Sequence, residues 1–140
     1  MRAYQATAVA IAGRAILIEG PPGTGKSELA LSLIDRGAAL IGDDSLMTEV
    51  FGGRLILRPH PETRGLIEVR NLGLLSLPVC DEAIAGLAIN LDAQAPRFIE
   101  SPEITDVFEV SLPRIALFPG TPSLAIKAEL ALQKFGIAVG

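Results

Sequence analysis

The octapeptide Gly20-Pro21-Pro22-Gly23-Thr24-Gly25-Lys26-Ser27 leaves the chain around it few choices. It meets the P-loop pattern G-x-x-x-x-G-K-[ST] at every fixed position. Average residue usage gives such a match by chance in about half a percent of chains of this size. Upstream, Ala15-Ile16-Leu17-Ile18 is a short apolar run of the kind that forms a buried parallel strand. Downstream, Glu28 to Ile34 combines helix formers with apolar residues at helical spacing. Strand, glycine loop and helix in that order form a phosphate cradle. The glycines let backbone N–H groups close around phosphate oxygens, and the helix N-terminus adds partial positive charge. In such a cradle Gly20 to Ser27 hold ATP, Lys26 reaches the β- and γ-phosphates, and Ser27 holds Mg²⁺.

With 140 residues, 49% of them hydrophobic, one domain spanning 1–140 with a real core is expected. The formal net charge of -4 gives no reason to expect nucleic-acid binding. The N-terminus has no basic start followed by a long apolar stretch, so neither a secretory signal nor a membrane span is expected. The single cysteine, Cys80, cannot pair within the chain, which suits a reducing cytoplasm, and it reads as a small buried hydrophobe. A mean hydropathy of +0.44 is high for so small a chain and points to self-association.

The fold class is α/β, a P-loop kinase domain with a mixed, strand-rich sheet and the loop between a central strand and the first helix. Thr7 to Ile11 reads as the first strand and Ala12-Gly13-Arg14 as a tight turn. The helix after Lys26 should end near Arg36, with Gly37 in the left-handed cap position. Ala38 to Ile41 reads as a short strand running into Asp43-Asp44, and Leu46 to Val50 with Arg54 to Leu57 as a hairpin about Phe51-Gly52-Gly53. Prolines 59 and 61 impose a loop. Further strands are expected at Leu66 to Val69, at Ile84 to Leu91 with an interruption at Gly86, at Phe108 to Leu112 and at Ile115 to Phe118. Asp92 to Pro102 reads as loop, and Pro122 to Phe135 as a terminal helix with Pro122 in its first turn.

A P-loop site also needs a carboxylate near the metal and a group that activates the nucleophile. Asp43 and Asp44 lie one helix and one strand after Lys26, so they return to the loop if their strand lies parallel to its neighbour. Adjacent carboxylates on a tight turn can face different partners, one a substrate hydroxyl and the other the metal or Lys26. Glu68 interrupts an apolar run, where a carboxylate must be paired or metal-bound; Arg70 follows on the same face and could pair with it. His60 reads as a surface residue. Arg64, Arg97 and Arg114 are isolated.

The run Gly20 to Leu31, then Ile34-Asp35-Arg36-Gly37, then Leu40-Ile41-Gly42-Asp43-Asp44, together with Leu66-Ile67-Glu68-Val69-Arg70-Asn71-Leu72-Gly73, resembles the HPr kinase/phosphorylase catalytic domain. The likeness is dense from Thr7 to Leu77. It is nearest to the short alphaproteobacterial members, which lack the family's N-terminal domain, and Met1 falls just before the catalytic domain. The resemblance implies a cytoplasmic, hexameric serine kinase. Such an enzyme transfers the γ-phosphate of ATP to HPr, a phosphocarrier of the phosphotransferase system. It also removes that phosphate with inorganic phosphate, releasing pyrophosphate. It further implies Lys26 and Ser27 as nucleotide and Mg²⁺ contacts, Asp43 as the base that takes the serine proton, Asp44 and Glu68 as metal-side carboxylates, and Arg70 as part of the signature.

Three positions depart from the family pattern. Gln5 stands where a histidine is usual, and Asn71 where the signature has glycine. Pro113 to Pro122 occupies the region of a Pro-Gly-Arg-Asn loop associated with dephosphorylation, without its Arg and Asn. Other P-loop classes fit less well. An AAA+ ATPase shares Gly-Pro-Pro-Gly-Thr-Gly-Lys but needs a longer chain and an acidic strand end of the hhhhDE type. A small-molecule kinase needs a basic lid. A silent nucleotide-binding regulator would explain Gln5 and Asn71 alone.

Overall fold

The computed structural model of the chain describes residues 1–138. Along them run β1 (Arg2–Tyr4), β2 (Thr7–Ile11), β3 (Arg14–Glu19), α1 (Lys26–Asp35), β4 (Ala39–Gly42), β5 (Leu46–Phe51), β6 (Arg54–Pro59), β7 (Leu66–Val69), β8 (Gly73–Ser76), β9 (Ala83–Leu91), β10 (Glu103–Val107), β11 (Val110–Leu117) and α2 (Leu124–Phe135). The fold is mixed α/β and rich in strand, as the sequence suggests.

The sheet runs β1-β5-β6-β9-β3-β2-β4, with β11 also on β9 and β10 on β11. Strand β9 lies parallel to β3 from Arg14↔Ile84 to Glu19↔Asn90. Its other edge is divided. The start of β9 takes β6 antiparallel at Ile56↔Ile84, and its end takes β11 parallel from Arg114↔Ala88 to Leu117↔Leu91. Both faces of the centre are apolar, which is why β3 and β9 read as continuous hydrophobic runs. Ile16, Ile18, Leu87 and Ile89 pack with Leu29 and Leu33 of α1 and Ala128 and Leu132 of α2. Ala15, Leu17, Ala85 and Ala88 pack on the opposite face with Leu55, Leu57 and Leu112. Gly86 is a bulge within β9 and does not interrupt it: the register shifts beside it, and a Cβ there would stand 3.3 Å from Leu132 Cδ1.

Strand β4 pairs antiparallel with β2, which pairs antiparallel with β3. Two reversals make β4 run in the direction of β3, so both strands deliver their C-terminal ends to the same rim. The parallel course comes through an intervening strand and not through direct pairing. The end of α1 follows the expected cap: Gly37 has φ 110, and Gly37 N and Ala38 N donate to Ile34 O and Leu33 O, each at 3.0 Å.

Three strand readings change. β1 is unanticipated. It is held on β5 by Arg2↔Thr48 to Tyr4↔Leu46, pairing that a three-residue segment cannot advertise in its own pattern. β10 and β11 form a hairpin whose turn is Phe108-Glu109, where a strand was expected. These residues take φ 48 and 71 without glycine, and Phe108 is held edge-on to Tyr4 at 5.8 Å and under the Arg2 guanidinium at 4.9 Å. β11 then runs through Pro113 without a break. Its pairing with β9 begins only at Arg114, so at Pro113 it has one paired edge and the missing N–H is tolerated. Pro59 closes β6 opposite Leu46, and α2 starts at Leu124 after Ser123, leaving Pro122 outside.

Candidate functional site

The segment from β3 to α1 is strand, glycine loop and helix. Gly20, Gly23 and Gly25 have φ 153, 80 and 95, values that side chains rarely adopt. Gly20 is also confined, since a Cβ there would lie 2.9 Å from Thr24 Oγ1 and 3.0 Å from Leu91 O. Pro21 and Pro22 stiffen the turn, and Thr24 Oγ1 donates to Pro21 O at 2.7 Å. Helix α1 begins at Lys26 with no side-chain cap, so its first N–H groups are left for another partner. Lys26 Nζ donates to Gly20 O at 2.8 Å, folding the side chain over the loop.

The two aspartates at the end of β4 face different sides. Asp43 Oδ1 accepts from Ser27 Oγ at 2.7 Å and from Thr7 Oγ1 at 3.1 Å, and Asp43 Oδ2 accepts from Glu68 N at 3.0 Å. One carboxylate thereby ties together α1, β2, β4 and the hairpin β7–β8. Asp44 is exposed with φ 70, and its N–H donates to Thr7 Oγ1 at 3.2 Å. It lines a cavity of about 400 Å³ with Lys26, Gly20, Glu19, Gln5 and Tyr4. Gly42 permits this sharp exit from β4, because a Cβ there would stand 2.5 Å from Ser45 O.

The hairpin β7–β8 sets Ile67 and Val69 into the core below α1 and leaves Glu68 and Arg70 exposed. Glu68, Arg70 and Asn71 line a second cavity of about 730 Å³ with Gly23, Gly25 and Ser27. Lys26 borders both spaces. Among the described residues no ion pair joins Glu68 to Arg70, so the site side of the hairpin keeps one free anion and one free cation. Asn71 has φ 74. That is the conformation glycine favours, and asparagine adopts it more readily than most residues. The departure at this position therefore preserves the turn.

Tyr4 and Glu19, not singled out in the sequence, form a pair at the rim. Tyr4 Oη donates to Glu19 Oε1 at 2.8 Å. Burial, with the Glu19 hydrogen bond and charge, pushes the phenol up to about 12. The available signal was an acid directly before the glycine loop. Thr7 was likewise legible only as a lone hydroxyl in an otherwise apolar strand.

The remaining candidates lie elsewhere. His60 is half-buried and its Nδ1 accepts from Glu62 N at 3.2 Å. Arg64 pairs with Asp81 and Arg97 lies over Phe98. Arg114 pairs loosely with Glu103 at 3.6 Å. Cys80 is half-buried at the edge of the second core, its thiol directed at Glu82 O at 3.2 Å.

Hard oxygen donors suit Mg²⁺, which uses one or two carboxylates plus substrate phosphates and water. Ser27 Oγ bonded to Asp43 Oδ1, with Glu68 lining the same cavity as Ser27, meets that demand. Among the described residues no group of three or more His, Cys, Asp or Glu forms a closed metal cage. The site fits an ion that arrives with phosphate. Among the same residues no helix is long and apolar enough to cross a membrane.

The family description "HPr Serine kinase C-terminal domain" matches residues 2–80. An HPr kinase/phosphorylase of Mycoplasmopsis pulmonis is 42% identical over 71 residues, covering 51% of this chain and 23% of that protein. One of Clostridium tetani is 42% identical over 84 residues, covering 60% of this chain and 26% of that protein. The match thus spans about a quarter of the length of these relatives. The structure of the Hpr(Ser) kinase/phosphatase from Coxiella burnetii superposes with a TM-score of 0.83 at 24% identity, covering 95% of this chain and 89% of that one.

Proposed function

The chain belongs to the HPr serine kinase C-terminal domain family, and on that premise we propose that it is an ATP-dependent kinase. It acts as one catalytic unit in the cytoplasm and phosphorylates a serine of an HPr-like phosphocarrier protein. The observation that carries this reading is the short bond between Ser27 and Asp43 at the start of α1, with Asp44 lining one cavity with Lys26 on the other side of the loop.

The glycine loop, the unsatisfied N–H groups at the start of α1 and Lys26 cradle the triphosphate. Ser27 and Asp43 stand where Mg²⁺ is held in P-loop enzymes, by the loop serine and a strand-end aspartate, and Glu68 closes that side. When bound, Mg²⁺ neutralises charge on the phosphate oxygens. Lys26 releases Gly20 O and moves to the β- and γ-phosphates, where its charge counts in both ground and transition state. Asp44 accepts the proton of the serine hydroxyl, whose oxygen forms the new P–O bond as the bond to the ADP oxygen breaks. This exchanges the roles that the resemblance gives the two aspartates, because the Asp43 carboxylate is fixed to Ser27, Thr7 and the Glu68 amide on the metal side of the loop, while the Asp44 carboxylate is exposed and lines the other cavity with Lys26. Arg70 is left for the phosphate or the acceptor. Reverse phosphorolysis is the weaker direction, since Pro119-Gly120-Thr121-Pro122 lacks the Arg and Asn of the resembled loop. Exposed Leu72, Leu74 and Phe98 supply apolar surface for self-association.

Radiolabelled ATP with purified HPr, with and without this protein, is the test. Label on a serine of HPr supports the proposal, and ATP turnover with no labelled HPr refutes it.

A further inference from the structure

We infer that Thr7 is a positioning residue for phosphotransfer, setting through its hydroxyl the separation of the Asp43 and Asp44 carboxylates. The inference rests on the roles proposed above for those two residues.

Thr7 is 1% exposed and lies in β2 among alanine, valine and isoleucine. A buried hydroxyl is unfavourable unless it is bonded. A hydroxyl has one proton and two lone pairs. Here the proton goes to Asp43 Oδ1 at 3.1 Å, and a lone pair receives the Asp44 N–H at 3.2 Å. A single oxygen therefore touches both aspartates, the side chain of one and the backbone of the other.

The ladder explains why a side chain is needed there. β2 and β4 are paired at Val9↔Leu40 and Ala8↔Gly42, with a bulge between these pairs. Beyond Gly42 the chain turns away, and the β2–β4 ladder has ended when it reaches the aspartates. Thr7 is the next residue of β2, and its side chain makes the link that the backbone has ceased to make. Asp44 sits at φ 70, in the left-handed region that aspartate tolerates better than most residues, and the bond to Thr7 fixes its backbone N–H there. On the far side Thr7 pairs with Ile18, next to the strand end that feeds the glycine loop. The hydroxyl thus references both acids to β3, the element that also places Lys26. Valine has nearly the same size and suits a strand, but its methyl cannot make either contact, so the hydroxyl and not the bulk is the feature to explain.

The experiment compares Thr7→Val, which keeps shape and loses the hydroxyl, with Thr7→Ser, which keeps the hydroxyl. Amide hydrogen exchange at Asp44 in the ligand-free protein reads the position directly. Phosphotransfer to HPr reads its consequence. Thr7→Val is expected to exchange roughly 3–10-fold faster at Asp44, the worth of one hydrogen bond. It is expected to lower kcat by about 10–100-fold, as loss of a group that orients a site residue does, with KM for HPr and metal-free nucleotide affinity unchanged. Thr7→Ser should match wild type in every readout. Unchanged exchange or unchanged kcat in Thr7→Val overturns the inference, as does Thr7→Ser impaired to the same extent. A Thr7→Val chain that fails to fold makes the hydroxyl structural and also overturns it. If wild type phosphorylates no HPr, the kinase reading fails separately. The exchange at Asp44 then decides for Thr7: faster in Thr7→Val and unchanged in Thr7→Ser keeps the positioning, and equal rates in Thr7→Val and wild type remove it.

Discussion

Asp43 and Asp44 are neighbours with the same side chain, and replacing each by asparagine should give opposite results. The Asp43 carboxylate accepts three hydrogen bonds through two oxygens. Asparagine keeps one oxygen and turns an NH₂ towards either the Glu68 amide or the Ser27 and Thr7 hydroxyls. Losing one bond to a charged acceptor costs about 1.5–3 kcal/mol. At this chain length each kcal/mol moves the midpoint by about 3–5 °C, so Asp43→Asn should lower Tm by about 5–15 °C. It should also raise the Mg²⁺ concentration needed for nucleotide binding. Asp44 is exposed, its carboxylate accepts no hydrogen bond among the described residues, and asparagine tolerates its φ of 70. Asp44→Asn should change stability by no more than about 0.5 kcal/mol. Loss of a general base should nevertheless lower phosphotransfer by about 10²–10⁴-fold, with nucleotide binding near wild type. Thermal unfolding by circular dichroism, Mg²⁺ titration with a fluorescent ATP analogue, and transfer of labelled phosphate to HPr read the three quantities. Full transfer by Asp44→Asn, or wild-type Tm and Mg²⁺ dependence in Asp43→Asn, would refute the assignment.

Lys26→Ala should lose both nucleotide binding and transfer, since the ammonium serves both; binding that survives in the same titration would place the phosphates elsewhere. Gly42→Ala should cost about 1–3 kcal/mol by overpacking against the Ser45 carbonyl, measured as a lower denaturation midpoint, and should reduce transfer by moving the aspartate turn. Tyr4 is the sole tyrosine, so near-ultraviolet phenolate absorbance follows it alone; the folded protein should titrate near 12, and a midpoint near 10 would contradict the burial and the Glu19 bond. Because folding raises that pKa, the associated stability is full below pH 10 and is lost as pH rises from 10 towards 12; Tyr4→Phe should lose this pH dependence. Multi-angle light scattering should give a mass above that of a dimer, and a monomer at micromolar concentration would remove self-association.

What could be read in advance follows the range of the forces involved. The glycine loop, α1 with its Gly37 cap, β2–β3 and the β5–β6 hairpin are specified by neighbours within a few residues, and each lies where its pattern puts it. β1 and β10 are short and exposed on most positions, and only pairing with distant strands defines them. The turn at Phe108-Glu109 has no turn residues of its own, because Tyr4 and Arg2, remote in sequence, hold its aromatic ring. In the site, residue types announced the loop and the acids. The different surroundings of Asp43 and Asp44 could not be read, since they depend on Thr7 and on the Glu68 amide reaching across from other strands.

The divided edge of β9 bears on how little of this chain could stand by itself. Residues 2–80 carry the glycine loop, both aspartates and the Glu68 hairpin, and they are the part whose sequence the family shares. Yet β9 begins at Ala83. Without it the sheet order β1-β5-β6-β9-β3-β2-β4 falls into two three-stranded halves with no rung between them. The keystone of the arch arrives after the last residue of the candidate site. A fragment ending at residue 80 would keep β3-β2-β4 with α1 and the groups they carry, but it would leave the open edge of β3 and the whole β1-β5-β6 half without the strand that joins them; folding of the whole must wait for a strand paired with partners some 70 residues earlier, a topology that folds slowly. The two parts are therefore built on different demands: particular side chains at fixed places around the glycine loop, and an apolar strand of the right length and direction where the halves are joined.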